Sequence, residues 1–382
     1  MILELTPEQE AFRSAVDRFA REHVEPRASE IDESGRYPRE LVADAASQGL
    51  LGITISPEHG GLGRDHLSAA LAVEAVARAS ATLAVILVVA NNLVADVVAR
   101  FGRPEQQARW LRRLATGASI GVFALSEENA GTDAANQETV ATAESDGWRL
   151  SGRKVWVANA EAADVGIVFA ATQPGARGRG ITAFLIPLDR AGVTKHAGPD
   201  SLGVRGLGCM DLVLDDVRVA PDDVLGEVNG GFKLARWALD GGRVGIAAQS
   251  LGVGLAALHE AIAHAQQRQT FGRPIAKYQA VQWFVADMAT ELEAARLLTW
   301  KAAAAQDLGT LSGAEASMAK LAASESAHRA ADKAMQVLAS AGYRRGSRVE
   351  RLFRDIRASE IYQGTSEVQR MIIASAVVGD EL

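Results

Sequence analysis

The chain has 382 residues, a formal net charge of −7, 48% hydrophobic residues and one cysteine. That length suits two or three domains with a sizeable core. Scattered, mildly acidic charge argues against a nucleic-acid-binding face, and the lone Cys209 excludes a disulfide framework and a multi-cysteine metal site.

From Met1-Ile2-Leu3-Glu4 the chain runs into a charged amphipathic stretch, without the basic start, apolar core and cleavage site of a signal peptide. A cytoplasmic location is therefore expected. Residues 1–119 read as an all-helical domain. Thr6-Pro7-Glu8-Gln9 predicts a helix start with a capping box, and Phe12, Val16 and Phe19 then share one face. Gly60-Gly61-Leu62-Gly63 breaks the pattern, and long helices resume from Leu67 to Arg100. The apolar run Leu83 to Ala90 is too short to span a bilayer and reads as a buried helix, so no membrane partner is expected.

Residues 120–228 change texture to short alternating runs rich in glycine and valine. Trp148–Leu150, Lys154–Val157, Val165–Ala171, Ile181–Leu188 and Met210–Val219 read as strands, with turns such as Asp146-Gly147 between them. They predict a compact β-domain with no parallel βαβ repeat. Residues 229–382 return to helical periodicity: Val281, Phe284, Val285, Met288 and Leu292 form one stripe, and Gly309 to Gly313 offers a break. The expected fold class is α+β, a central β-domain between an N-terminal helical domain and a C-terminal helical bundle.

Two candidate sites fail on their own spacing. His259 and His264 are five apart, off a common helical face, and none of the seven histidines has ligand spacing, so no metal is expected. Gly203-Val204-Arg205-Gly206-Leu207-Gly208 lies outside any strand–helix unit, which rejects a nicotinamide-binding loop.

The remaining segments carry more. They are Ala124-Leu125-Ser126-Glu127-Glu128-Asn129-Ala130-Gly131-Thr132-Asp133, Lys154-Val155-Trp156-Val157-Ala158-Asn159 and Leu239-Asp240-Gly241-Gly242-Arg243. Further on come Arg268-Gln269-Thr270-Phe271-Gly272 with Tyr278-Gln279-Ala280, Gln336 to Tyr343, Arg351 to Asp355, and Ile361 to Arg370. Together they resemble the signatures of the acyl-CoA dehydrogenase family over essentially the whole chain. The resemblance implies a FAD enzyme that oxidises an acyl-CoA or acyl-carrier-protein thioester to the α,β-enoyl thioester. Electrons would pass to an electron-transfer flavoprotein or another acceptor. It also implies a homo-oligomer, dimer or tetramer, in which each FAD site is completed across an interface.

Residue by residue, the resemblance places Phe123, Leu125, Ser126, Gly131, Thr132, Trp156 and Ala158 around the flavin. The Ser126 hydroxyl and backbone groups suit the polar edge of an isoalloxazine, Gly131 permits close approach, and Thr132 offers a donor. Ala158 stands where the family usually has a hydroxyl near flavin N5, which implies a shifted flavin potential or oxygen reactivity. Arg268, Thr270, Phe271 and Gln279 would reach the FAD of a neighbouring subunit, and an arginine followed by a hydroxyl suits a diphosphate. Gln336, Ala339 and Ser340 form a second FAD turn, although the family usually has two glycines at the last two positions. Thr365, Ser366 and Glu367 would face the ADP part. Thr132, Asp240, Arg243 and Gly364 are the implied substrate contacts, with an internal ion pair as the alternative role of Arg243. Glu128, where the family usually has proline, reads as a solvated loop charge, and the charges of Arg351 to Asp355 as structural ion pairs. Arg177 and Arg179, in the loop Gln173–Gly180, are candidates for a CoA phosphate or an acidic carrier protein.

Gln363 is the departure that matters. The family usually has a glutamate there, which removes the substrate's α-proton, while the backbone N–H of that residue polarises the thioester carbonyl. An amide matches the carboxylate in shape but takes no proton at neutral pH. Gly242 occupies the other position at which some relatives carry the base. An introduced Glu→Gln change, a natural departure and a binding-only relative all fit this pattern. The natural departure would have a relocated base, different regiochemistry or flavin monooxygenase chemistry.

Overall fold

The computed structural model describes residues 4–379 in helix–sheet–helix order. The first block comprises α1 (Pro7–Phe19), α2 (Ala28–Ser34), α3 (Arg39–Ser47), α4 (His66–Ala79), α5 (Ala81–Val88), α6 (Asp96–Phe101) and α7 (Pro104–Ala115). The predicted capping box opens α1: Gln9 N–H donates to Thr6 Oγ1 at 3.2 Å and Thr6 N–H to Gln9 Oε1 at 3.0 Å. Phe12, Val16 and Phe19 are buried, as the spacing required.

Ser80 divides the expected long helix. Its backbone is extended, and its hydroxyl accepts from Leu83 N–H to cap α5. A π-helical turn, Val89–Ala95, then joins α5 to α6. The helical run Ala81–Phe101, with 21 residues, is long enough to cross a bilayer, and its 18-residue stretch of mean hydropathy 2.1 is buried inside the protein. This corrects the length argument from Leu83 to Ala90. What the apolarity serves here is the protein's own core.

The middle block is an eight-stranded sheet: β1 (Gly121–Ala124), β2 (Val140–Glu144), β3 (Gly147–Val157), β4 (Val165–Ala171), β5 (Ile181–Pro187), β6 (Val193–Ala197), β7 (Met210–Val219) and β8 (Val224–Leu225). The order is β6-β7-β3-β2-β4-β5-β8, with β1 also on β4. The β1–β4 and β2–β4 pairs are parallel and the others antiparallel, without a βαβ repeat. The segments read as two strands, Trp148–Leu150 and Lys154–Val157, are one. Bulges against β7 fall between Leu150 and Gly152 and between Lys154 and Val157, and they interrupt the alternation. Strands β2 and β6 are mostly exposed or half-buried, so they carry little apolar signal.

The last block has α8 (Gly231–Gln267), a short hairpin of β9 (Gln269–Thr270) and β10 (Arg273–Pro274), α9 (Gln279–Asp307), α10 (Gly313–Leu338), α11 (Arg348–Ser359) and α12 (Ser366–Val378). Helix α8 is the central post. Gly252 lets the α4 backbone at Glu74 approach it, and Gly254 admits Ala327 of α10. Met288 and Leu292 of the predicted α9 stripe are buried, while Val281, Phe284 and Val285 are half-buried.

Candidate active site

Gln363 lies in the turn between α11 and α12 with φ +54°, followed by Gly364 at φ +92°. A left-handed non-glycine residue persists only where its surroundings hold it. Here three side chains do. Lys320 Nζ donates to the Gly364 carbonyl at 2.7 Å. Gln369 Nε2 donates to the Gly364 carbonyl at 2.8 Å and the Gln363 carbonyl at 3.2 Å. Arg243 Nε reaches the Gln363 carbonyl at 3.5 Å. Among the described residues, the Gln363 N–H has no acceptor. Its side-chain Oε1 is buried without a partner and lies over Gly242 of α8, beside Leu93 of the π-helical turn. Tyr362, next in line, donates its hydroxyl to Gln249 Oε1 at 3.3 Å, and burial raises its pKa.

Asp240 and Arg243 lie one turn apart on α8 and pair with each other at 2.6 Å. The ion pair read as one role of Arg243 is thus present, at the edge of the Gln363 turn. Burial raises the Asp240 carboxyl despite Arg243, and burial likewise lowers the Arg243 guanidinium. Asp240 also lines an open cleft of about 610 Å³ whose other walls include Arg177, Arg179, Lys233, Arg236 and Trp237. One residue therefore connects a cationic mouth to the turn carrying Gln363.

On the sheet side, the second β3 bulge gives Trp156 a φ of +55° and leaves it 52% exposed. Ala158 follows, half-buried against the main core. The loop after β1 is fixed from beneath. The Ser126 carbonyl accepts from Val155 N–H at 2.9 Å, and buried Lys154 Nζ donates to Glu127 Oε1 and Gln137 Oε1, each at 2.5 Å. Glu127 also accepts from the N–H groups of Glu138 and Thr139. Burial alone would raise the Glu127 carboxyl, but the Lys154 ammonium outweighs it and holds the pKa low. Burial pushes Lys154 down to about 8 against that pull. The upper side of the loop is open: Gly131 and Thr132 are exposed, and, among the described residues, Gly131, Thr132 and Ala158 form no hydrogen bond within the chain. Phe123 packs on Phe169 with ring centroids 4.8 Å apart, and Leu125 is buried. Glu128 is exposed, as read.

The loop Gly203–Gly208 ties these two parts together. Asn159 N–H donates to the Leu207 carbonyl at 3.1 Å, and Val204 N–H donates to Asp355 of α11 at 2.6 Å. Asp355, which burial raises to about 6, and Arg354, paired with Asp32 and Glu350, thus serve structure. Arg351 donates to Ser29 instead of forming an ion pair.

Other predicted positions lie elsewhere. Arg268, Phe271 and Gln279 are exposed around the β9–β10 hairpin, Phe271 by 97%, and Thr270 is half-buried. Gln336, Ala339 and Ser340 are exposed at the end of α10, where Ala339 has φ +51°. The Thr365 hydroxyl accepts from Val368 N–H and caps α12, and Glu367 is exposed. The buried cations Lys154 and Lys320 received no role from sequence. Their signal was positional: Lys154 has an inward place on a strand, and Lys320 sits four residues after Ala316 and three before Ala323 on the buried face of α10.

Three family models match: the acyl-CoA dehydrogenase N-terminal domain over residues 6–118, the middle domain over 122–217 and the C-terminal domain over 229–378. The chain is 41% identical over 372 residues to the mitochondrial short-chain specific acyl-CoA dehydrogenase of Bos taurus, covering 97% of this chain and 90% of that one. Butyryl-CoA dehydrogenase from Megasphaera elsdenii superposes with a TM-score of 0.96 at 38% identity, covering 99% of this chain and 100% of the other. The prolyl acyl carrier protein oxidase AnaB superposes with a TM-score of 0.95 at 28% identity, covering 98% and 100%. The chain belongs to the acyl-CoA dehydrogenase family and is a FAD-dependent oxidoreductase of that type.

Proposed function

We propose that this chain binds an acyl thioester with its carbonyl on the Gln363 N–H, and that the parent reaction of the site is oxidation to the α,β-enoyl thioester. The observation that carries this reading is a free N–H in a braced left-handed turn, over a glycine ledge, at the position where the family holds its base. That donor stabilises charge developing on the carbonyl oxygen and so acidifies the α-carbon. FAD supplies the acceptor for the hydride leaving Cβ. Exposed Trp156, the free donors of Gly131, Thr132 and Ala158, and the Ser126 hydroxyl suit a flat polar-edged ring and its phosphates. Arg268, Thr270, Phe271 and Gln279, with Gln336, Ala339 and Ser340, would complete the FAD site of a second copy in a homodimer or homotetramer. All but half-buried Thr270 are exposed in the single chain, which agrees with that role. An electron-transfer flavoprotein is the proposed electron acceptor.

The α-proton is where the chain departs. The Gln363 amide cannot accept it, and a positioned base contributes about 10²–10⁴-fold. The cationic cleft beside Asp240 supports a phosphate-bearing handle, which CoA and a carrier protein's phosphopantetheine both possess. The butyryl-CoA dehydrogenase likeness favours a short acyl-CoA, and the AnaB likeness keeps an acyl carrier protein as the second reading.

The test is the visible flavin absorbance of the FAD-loaded chain and of Gln363→Glu on adding butyryl-CoA. Rapid bleaching in the glutamate form, about 10²–10⁴-fold faster than in the chain itself, is expected. Equal bleaching in both would place the base elsewhere. Binding without bleaching in either would leave a thioester-binding protein.

A further inference from the structure

We propose that Lys320 is a positioning residue: its ammonium anchors the Gly364 carbonyl and thereby aims the Gln363 N–H at the thioester oxygen. The inference rests on the reading that this N–H receives the carbonyl.

Lys320 is fully buried on α10, and among the described residues its one hydrogen bond goes to that carbonyl, at 2.7 Å. Burying an ammonium with so little compensation is costly. Burial, with Arg243 nearby, pushes it down to about 8, while Glu360, Glu325 and Glu367 pull the other way. Among the described residues no carboxylate lies within ion-pair distance of it, so a salt bridge does not explain its place. What it does touch is the second of two consecutive positive-φ residues. The Gly364 carbonyl has two lone pairs, and Lys320 and Gln369 each donate to it, at 2.7 and 2.8 Å. Gln369 and Arg243 hold the Gln363 carbonyl next to it. Fixing the Gly364 carbonyl fixes the Gly364–Thr365 peptide plane, the C-terminal end of the two-residue left-handed turn. The Gln363 carbonyl, held as well, fixes the Gln363–Gly364 plane, and on the other side Tyr362 N–H donates to the Ala358 carbonyl at 3.1 Å, so the intervening peptide that carries the Gln363 N–H is restrained at both ends. A charged donor makes a stronger anchor than an amide.

The experiment uses the FAD-loaded chain, in which Gln363 leaves the ligand intact, with butyryl-CoA carrying ¹³C at the thioester carbonyl. Infrared difference spectra read the carbonyl stretch, which moves to lower frequency as the oxygen accepts hydrogen bonds. In Lys320→Met, the downshift is expected to fall by about half and the Kd for butyryl-CoA to rise about tenfold, with flavin content preserved. Lys320→Gln, which keeps a neutral donor on a shorter arm, is expected to lie between the two and serves alone if the methionine form does not hold FAD. An unchanged downshift in these variants, even with lowered thermal stability, would reduce Lys320 to packing and overturn the proposal. No downshift in the unaltered chain would instead sink the reading of the Gln363 N–H, and this proposal with it.

Discussion

Gly242 has no side chain, and the Gln363 amide oxygen occupies the space a methyl would need. Leu93 Cδ2 stands 2.8 Å from that point as well, so a methyl there must displace the ends of both side chains. Overpacking of this kind costs about 1–3 kcal/mol. Gly242→Ala is therefore expected to lower the urea midpoint and to weaken butyryl-CoA binding, because the displaced group is the side chain of the binding turn. Unchanged affinity with lowered stability would show that the ledge serves packing only. At the same scale, Gln363 separates two functions that one residue combines in the family. The N–H proposed to polarise the carbonyl belongs to the backbone and does not depend on the side chain, whereas a proton acceptor there would.

At the scale of elements, the loop between β1 and β2 is held by one buried ion pair, Lys154 on β3 with Glu127. Both side chains are almost wholly excluded from solvent, and Glu127 is satisfied further by two backbone donors. Removing one member strands the other, at a cost of about 3–5 kcal/mol. Lys154→Met should therefore lose roughly that much in urea unfolding and release FAD more readily, since Ser126 sits on the same loop. Replacing both with apolar residues, as Lys154→Met with Glu127→Leu, should recover much of the stability. If the single change costs less than about 1 kcal/mol, the pair does not hold the loop. The β3 bulge acts in parallel: it interrupts the ladder between Lys154 and Val157 and turns Trp156 toward solvent instead of into the sheet.

At the scale of the whole molecule, the N-terminal and C-terminal helical domains meet at a half-buried titrating contact. His66, at the start of α4, bonds Asp307 at the end of α9 through Nδ1 at 2.6 Å, and its Nε2 lies 3.5 Å from Asp96. Burial alone would lower its pKa, but the two aspartates outweigh it and raise it to about 9. The folded chain thus binds this proton more tightly than the unfolded one. The contribution, about 3 kcal/mol, is complete below the ordinary histidine value near 6.5 and is lost as pH rises through about 9. The stability difference between the chain and His66→Gln should accordingly shrink between pH 6.5 and 9.5 in urea titrations; a constant difference would refute the coupling. Much of the architecture was written in local pattern. The capping box at Thr6, the exact span of β7, the break before Gly313 and the motif blocks around Ser126 and Gln363 all depend on neighbours within a few residues, so the sequence by itself determined the fold class, the family and the flavin. It also determined that the side chain at position 363 takes no proton, because an amide lacks a proton-accepting site wherever it sits. Only the tertiary structure decided that Lys320 and Gln369 brace the Gln363 turn, that Gly242 is the ledge beneath it, that Asp240 pairs with Arg243, and that Lys154 neutralises Glu127. Most of these contacts join residues far apart along the chain, and all depend on how helices and strands pack, which local periodicity does not encode.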